Sequence, residues 1–167
     1  MGERLTKSDV AKIEAEIEHR KLVVRKEALE AVAEARAQGD LSENFEYYAA
    51  KRDKNKNESR IHYLERMLKM AEVIDDTSKA DEVGINKVVE VYYPEDDETM
   101  EFHIVTSIRG NSLNHYISID SPLGKALMGH KVGDVVLVKV NDQVSYEVEI
   151  RSISEPLDDS EDTIRSY

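Results

Sequence analysis

No cysteine occurs among the 167 residues, so a disulfide framework, a thiol nucleophile and a Cys-ligated zinc site are all excluded. Tryptophan is absent and phenylalanine occurs twice, against eight tyrosines, which leaves no material for a large aromatic core. No apolar run is long enough to span a bilayer. The opening Met1-Gly2-Glu3-Arg4-Leu5 leads directly into polar helix, without the hydrophobic segment of a secretory signal. The expected location is cytoplasmic, with no membrane partner. Positive charge is scarce in the second part of the chain. Residues 1–74 carry 15 acidic and 15 basic side chains, whereas residues 75–167 carry 20 and 8 and hold the whole net charge of −12. Phosphate contacts need clustered cations, so the second part is not expected to bind duplex nucleic acid; the first retains the means for a local basic face.

Glycine and proline are missing from residues 7–37, which are rich in Ala, Glu, Lys, Arg, Ile and Val and read as helix. Val10, Ile17, Val24 and Ala31 recur every seven residues, with Ile13, Ala28 and Ala35 between them, forming a seam for a partner helix. A second helical stretch supplies that partner. Tyr47, Ala50, Lys54, Asn57, Ile61, Leu64, Leu68 and Ala71 alternate by three and four, apolar toward the base and polar in the middle. Gly39 permits the tight connection between them. The expected product is an antiparallel coiled-coil hairpin, packed firmly at its base and loosening toward its tip; dimerisation with another chain is the alternative.

Beyond Asp75-Asp76-Thr77-Ser78 the apolar period falls toward two. Strands are expected at Lys87 to Tyr93 and Met100 to Ser107 about the acidic turn Pro94 to Glu98, at Tyr116 to Ile119, and at Asp134 to Val140 and Val144 to Ser152 about Asn141-Asp142. Ser121 as N-cap, Pro122 at the first helical position and Gly129 at the stop punctuate a short helix. The fold class is α+β: an N-terminal helical hairpin over residues 1–76 with its tip at 39–44, a linker at 77–82, and an antiparallel β-sheet domain with a short helix at 83–154. Residues 155–167 are acidic, poor in apolar side chains and expected to be disordered.

Chemistry is expected at the tip. Asp40 and Glu43 stand three residues apart where the second helix should begin. One reading is a helix cap, Asp40 accepting a backbone N–H and Glu43 reaching back. The other is a pair of exposed carboxylates able to coordinate Mg²⁺, which takes few protein ligands and completes its shell with water and phosphate. Two carboxylates are too few for a free-standing site, but they can complete one supplied by a partner. Arg36 precedes the tip, and Lys51, Arg52, Lys54 and Lys56 follow it, as a guide for a single nucleic-acid strand or simply as a solvated face. Tyr47 falls on the seam and is expected to pack. The five histidines show no metal-ligand spacing.

The run from Ala35 to Lys51, containing Gly39-Asp40-Leu41-Ser42-Glu43-Asn44-Phe45-Glu46-Tyr47, resembles the tip of the bacterial Gre transcript-cleavage factors, with their Gly-Asp-Leu-x-Glu-Asn-x-Glu-Tyr pattern. Ser121-Pro122-Leu123-Gly124-Lys125-Ala126-Leu127-Met128-Gly129 with Gly133-Asp134-Val135-Val136 is similar to a second Gre signature. The likeness spans residues 5 to 153 in the right order, and Leu41 after Asp40 resembles the GreA branch. Three features depart from it: Val23-Val24-Arg25-Lys26 stands where many members have an Arg-Pro step, Phe45 replaces a common Ala, and the acidic tail has no counterpart.

The resemblance implies an FKBP-like second domain that binds bacterial RNA polymerase, and a coiled coil inserted into the polymerase secondary channel. Asp40 and Glu43 would hold a catalytic Mg²⁺ in trans and orient water for cleavage of backtracked RNA. The chain itself would then be a stimulator of the polymerase's activity, not an enzyme, and a monomer when free. Family membership further assigns Arg36, Lys51 and Arg52 to the extruded 3′ RNA, and Asp120, Ser121 and Pro122 to docking on the polymerase. A regulatory paralogue that occupies the channel without stimulating cleavage is the alternative. A prolyl isomerase is disfavoured by the aromatic-poor second domain.

Overall fold

A computed structural model describes residues 2–39, 44–109, 115–154 and 164–165. The chain divides into two compact units, one formed mainly by Ser8–Ala71, the other by Glu3–Lys7 with Glu72–Arg165.

The first unit is the helical hairpin. Helix α1 (Lys7–His19) runs through a π-helical segment (Arg20–Val24) into α2 (Arg25–Arg36), and α3 (Phe45–Met70) returns antiparallel to them. At about 1.5 Å per residue, the 26 residues of α3 extend roughly 39 Å. The seam on α3 follows the expected spacing, with Tyr47, Asn57, Ile61 and Leu64 buried and Ala50, Lys54, Leu68 and Ala71 partly so. The base is held by Ile13, Ile61 and Leu64, each no more than 1% exposed. Burial does not simply fade toward the tip, where Ala35 and Tyr47 are buried again.

On the first arm of the hairpin the heptad expectation fails at one point. Ala31 is exposed, and Val32 takes the inward place. The physical reason is the π-helical segment, which inserts one extra residue into a turn. Before it the inward positions are Val10, Ile13, Ile17 and Arg20; after it they are Ala28, Val32 and Ala35, a phase slip of one residue. The backbone N–H of Arg25 bonds to Arg20 O, the i to i−5 pairing that defines the slip.

A polar cluster is buried beside this slip. Asn57, 4% exposed, accepts from Arg20 Nη1 at 3.0 Å and donates to Arg20 O at 3.2 Å. Glu16 receives Arg20 Nε at 2.7 Å, Arg60 Nε at 2.9 Å and Arg60 Nη2 at 3.2 Å. Burial pushes the Glu16 carboxyl upward, but the bonds and charges of Arg60 and Arg20 outweigh it, so its pKa lies below the usual carboxylate value. Farther along, Arg25 Nη2 donates to Glu58 at 2.8 Å. Where the seam offers no large apolar side chains, hydrogen-bonded charge takes their place.

The second unit opens with a correction. Residues at the N-terminus do not lead straight into helix: Arg4–Leu5 form strand β1, which pairs in parallel with β2 (Glu72–Val73). Leu5 is fully buried, which is the apolar gain that draws this segment out of helix. The main sheet has five strands in the order β5-β4-β3-β7-β6, with β3 Val88–Tyr93, β4 Glu98–Val105, β5 Tyr116–Ser118, β6 Val135–Lys139 and β7 Ser145–Ser154. It is not wholly antiparallel, because β4 and β5 pair in parallel. The chain between Val105 and Tyr116 is long enough to carry β5 back to the same direction, which a tight hairpin turn cannot do.

Helix α4 (Pro122–Leu127) covers one face of this sheet. Val89 and Val91 of β3, Phe102 and Ile104 of β4, Val136 and Val138 of β6, and Val148 and Ile150 of β7 form the core with Leu123 and Leu127. Ser121 caps the helix by accepting Gly124 N–H at 3.1 Å, as its punctuation implies. The stop is Gly129, at φ +79°. Within residues 77–82, the carbonyls of Lys79 and Glu82 accept from the buried Lys87 ammonium at 2.6 and 2.8 Å. The acidic stretch 155–167 lies outside the described residues except for Ile164 and Arg165. Arg165 N–H donates to Ile108 O at 2.8 Å and its guanidinium to Glu3 at 2.7 Å.

Candidate functional site

The tip is built from its flanks. Gly39 has φ +117°, which favours glycine, and follows the end of α2. Asp40, Leu41, Ser42 and Glu43 lie outside the described residues. The return helix begins at Phe45, and its N-cap is Asn44, whose Oδ1 accepts Tyr47 N–H at 3.0 Å. The capping expected of Asp40 and Glu43 lies outside the described residues; the N-cap of α3 itself is Asn44. Asn44 suits the position because its amide does two things at once. Its Nδ2 also donates to Ala35 O at 2.7 Å, tying the end of α2 to the start of α3, which a carboxylate cannot do.

Arg36 lies over the ring of Tyr47 at 5.6 Å from guanidinium carbon to ring centroid. The hydrogen bond from Arg36 lowers the Tyr47 pKa; burial opposes it, and the charges of Lys51, Arg36 and Lys54 reinforce it. Tyr47 is 8% exposed and packs on the seam as expected. Its neighbour Tyr48 meets it edge-on at 5.5 Å and is exposed.

Tyr48 belongs to a different face. With Lys51, Arg52, Asn55, Lys56 and Ser59 it forms an exposed stripe along one face of α3. The structure thus brings Lys51 and Arg52 together with Lys56, while Arg36 sits on Tyr47. Lys51 follows Asn44 by seven residues, roughly 10 Å along the helix axis. Three cations beside an exposed aromatic ring match the chemistry of a single nucleic-acid strand, with phosphates on the cations and a base on the ring. The spacing of the cations was legible in sequence. The contributions of Asn55 and Ser59 were not, because nothing but helical phase marks them.

Among the described residues, no group of three His, Cys, Asp or Glu side chains could hold a metal ion. The tip carboxylates are hard oxygen donors of the kind Mg²⁺ takes, and two of them fit an ion shared with another donor set better than one held alone. His103 stacks on Tyr116 at 4.8 Å, and His130 Nδ1 lies 3.1 Å from Asp134 Oδ2.

In the second unit, Asp120 and Pro122 are exposed and Ser121 is half-buried. Asp120 N–H donates to Ser118 Oγ at 2.9 Å, and Ser121 Oγ donates to Ser118 O at 2.6 Å. A Cβ on Gly124 would stand 2.0 Å from the Ser118 carbonyl oxygen, so only glycine lets α4 approach this closely. Arg4 Nη2 donates to Asp120 Oδ1, a contact between residues far apart in sequence and missed by sequence reasoning.

Residues 3–73 match the family model described as transcription elongation factor, N-terminal, and residues 77–155 match the one described as transcription elongation factor, GreA/GreB, C-terminal. The chain belongs to the GreA/GreB family. Among GreA/GreB relatives, transcription elongation factor GreA of Thermoanaerobacter pseudethanolicus is 48% identical over 137 residues, covering 81% of this chain and 87% of that protein. The GreA of Acholeplasma laidlawii is 41% identical over 150 residues, covering 90% and 95%. A solved structure of GreA factor homolog 1 (Gfh1) from Thermus thermophilus is 29% identical and covers 93% of this chain and 100% of that one, at a TM-score of 0.43. The sequence expectation of a Gre family member with an α+β fold holds.

Proposed function

We propose that this transcription elongation factor binds bacterial RNA polymerase, inserts its hairpin into the secondary channel and stimulates Mg²⁺-dependent cleavage of backtracked RNA. The observation that carries this reading is the exposed stripe of Tyr48, Lys51, Arg52, Asn55, Lys56 and Ser59 on the helix that follows the two tip carboxylates in sequence. A strand lying on that stripe would run along α3, the helix that follows Asp40 and Glu43 in sequence. Family membership supports transcription as the setting.

Each residue then has a stated task. Lys51 and Arg52 neutralise phosphates of the extruded 3′ RNA, and Tyr48 offers a face for a base. Arg36, held on Tyr47, adds a further cation next to the tip. Asp40 and Glu43 present acceptor oxygens that can hold one side of a shared Mg²⁺ and take a hydrogen bond from the attacking water. Mg²⁺, when bound, neutralises charge on the phosphate and makes water a stronger nucleophile. Asp120, Ser121 and Pro122 form the polymerase-docking edge of the second unit.

The test uses stalled, backtracked elongation complexes with labelled RNA. Addition of the protein and Mg²⁺ should release short 3′ fragments, and Asp40→Asn or Glu43→Gln should slow release on the order of 10²-fold, the usual loss when a preorganised electrostatic group is removed. Undiminished cleavage by both variants would refute the tip mechanism. Tight polymerase binding without cleavage by the unmodified protein would replace this reading with that of a channel-occupying regulator.

A further inference from the structure

We propose that Arg4 is a positioning residue for polymerase docking: it fixes the carboxylate of Asp120 in the orientation that a hydrogen-bond donor on the polymerase meets. This rests on the docking role given to Asp120-Ser121-Pro122 above.

The anchoring of Arg4 is out of proportion to the length of its strand. Leu5 beside it is fully buried, and the backbone is bonded on both sides, Glu72 N–H to Glu3 O at 3.0 Å and Ile74 N–H to Leu5 O at 2.8 Å. The Glu3 carboxylate accepts from Ser107 Oγ and from Arg165 Nη2. Arg4 therefore projects from fixed backbone. At the other end, the Asp120 segment is already rigid without Arg4, through the bonds of Asp120 N–H to Ser118 Oγ, Ser121 N–H to Ser118 O and Gly124 N–H to Ser121 Oγ. What Arg4 adds is the direction of the Asp120 side chain.

Stability is a poor explanation for the pair. Both side chains are 39% exposed, and ion pairs at such positions contribute little to folding. A carboxylate has capacity for several hydrogen bonds, so a donation from Arg4 to Oδ1 leaves room for one from a partner. A side chain ordered before association spares the complex the entropic cost of ordering it.

The experiment measures affinity of the full chain for cognate core RNA polymerase, with Arg4→Met, Arg4→Lys, Asp120→Asn and the double variant Arg4→Met/Asp120→Asn. Freezing one side chain in advance translates to a loss of about two- to tenfold in affinity for Arg4→Met. Arg4→Lys should recover most of that loss, and Arg4→Met should cost nothing further once Asp120 is Asn. A purely structural role would instead lower the melting temperature and weaken binding equally in both backgrounds, which would overturn the inference. So would unchanged or tighter binding by Arg4→Met while Asp120→Asn binds weakly. Wild-type affinity of Asp120→Asn is a separate failure, that of the docking role itself.

Discussion

Replacing Asn57 with alanine should destabilise the helical hairpin by about 2 kcal/mol, although the residue contributes almost no apolar burial. Its side chain makes two hydrogen bonds, one from the charged Arg20 Nη1 at 3.0 Å and one to Arg20 O at 3.2 Å. A neutral hydrogen bond contributes roughly 1 kcal/mol net and one to a charged group somewhat more, while water can partly re-solvate Arg20. The Arg20 carbonyl also accepts the Arg25 N–H, so loss of Asn57 removes a bond that pins the π-helical segment. Urea unfolding followed by circular dichroism at a helix-sensitive wavelength gives the stability change, and hydrogen exchange at the Arg25 amide gives the local one. The expected pair of results is a lower midpoint at unchanged slope and faster Arg25 exchange. A loss below about 0.5 kcal/mol, or a larger loss with Arg25 exchange unaltered, would refute the coupling of Asn57 to the phase slip.

Glu16 titrates below the ordinary carboxylate range because its bonds and charge pairing with Arg60 and Arg20 outweigh the opposing effect of burial. A carboxylate with a lowered folded pKa contributes stability that is complete above its unfolded value of 4.5 and is lost as pH falls through the folded value. Acid titration of hairpin stability should thus show a decline below that point, and Glu16→Gln should be less stable at pH 7 with a flatter acid limb; parallel limbs would contradict it. Gly124→Ala should destabilise the second unit by about 1–3 kcal/mol, since the new methyl meets backbone that cannot move as a side chain would. Thermal melting of the variant measures it, and a wild-type melting temperature would show that α4 can shift away from Ser118.

What could be read in the sequence followed from local chemistry. The α3 seam, the cap and stop of α4, and the strands of the central sheet each carry their signal within a dozen residues. The misses have non-local causes. Strand direction leaves no trace in alternation, so the parallel pairing of β5 was unreadable. Two residues cannot display a period, and Arg4–Leu5 become a strand only because Leu5 has somewhere to be buried. Val10, Ile17 and Val24 predicted Ala31 as the next inward residue, yet a π-helical insertion changes phase without changing composition. At the tip, the N-cap of α3 is Asn44, whose amide also reaches Ala35 O, a contact nine residues back that nothing local marks. The contact of Arg4 with Asp120 joins residues 116 apart and has no local signature at all.

The polar middle of the hairpin decides its register. Apolar seam residues alone leave the register of a helix pair open, and a buried polar residue specifies it at a cost in stability. Sliding α3 by one heptad would take Arg60 off Glu16 and Asn57 off Arg20 together, leaving groups that are 8% and 4% exposed to find new partners at a cost of several kcal/mol. The same slide would displace the start of α3 by roughly 10 Å along its axis. Asn44, Tyr48, Lys51, Arg52 and, in sequence, the two carboxylates all sit at that end of the helix. Buried hydrogen-bonded charge in mid-hairpin therefore fixes the point to which this helix carries its tip, a requirement that stability alone would have met more cheaply with leucine.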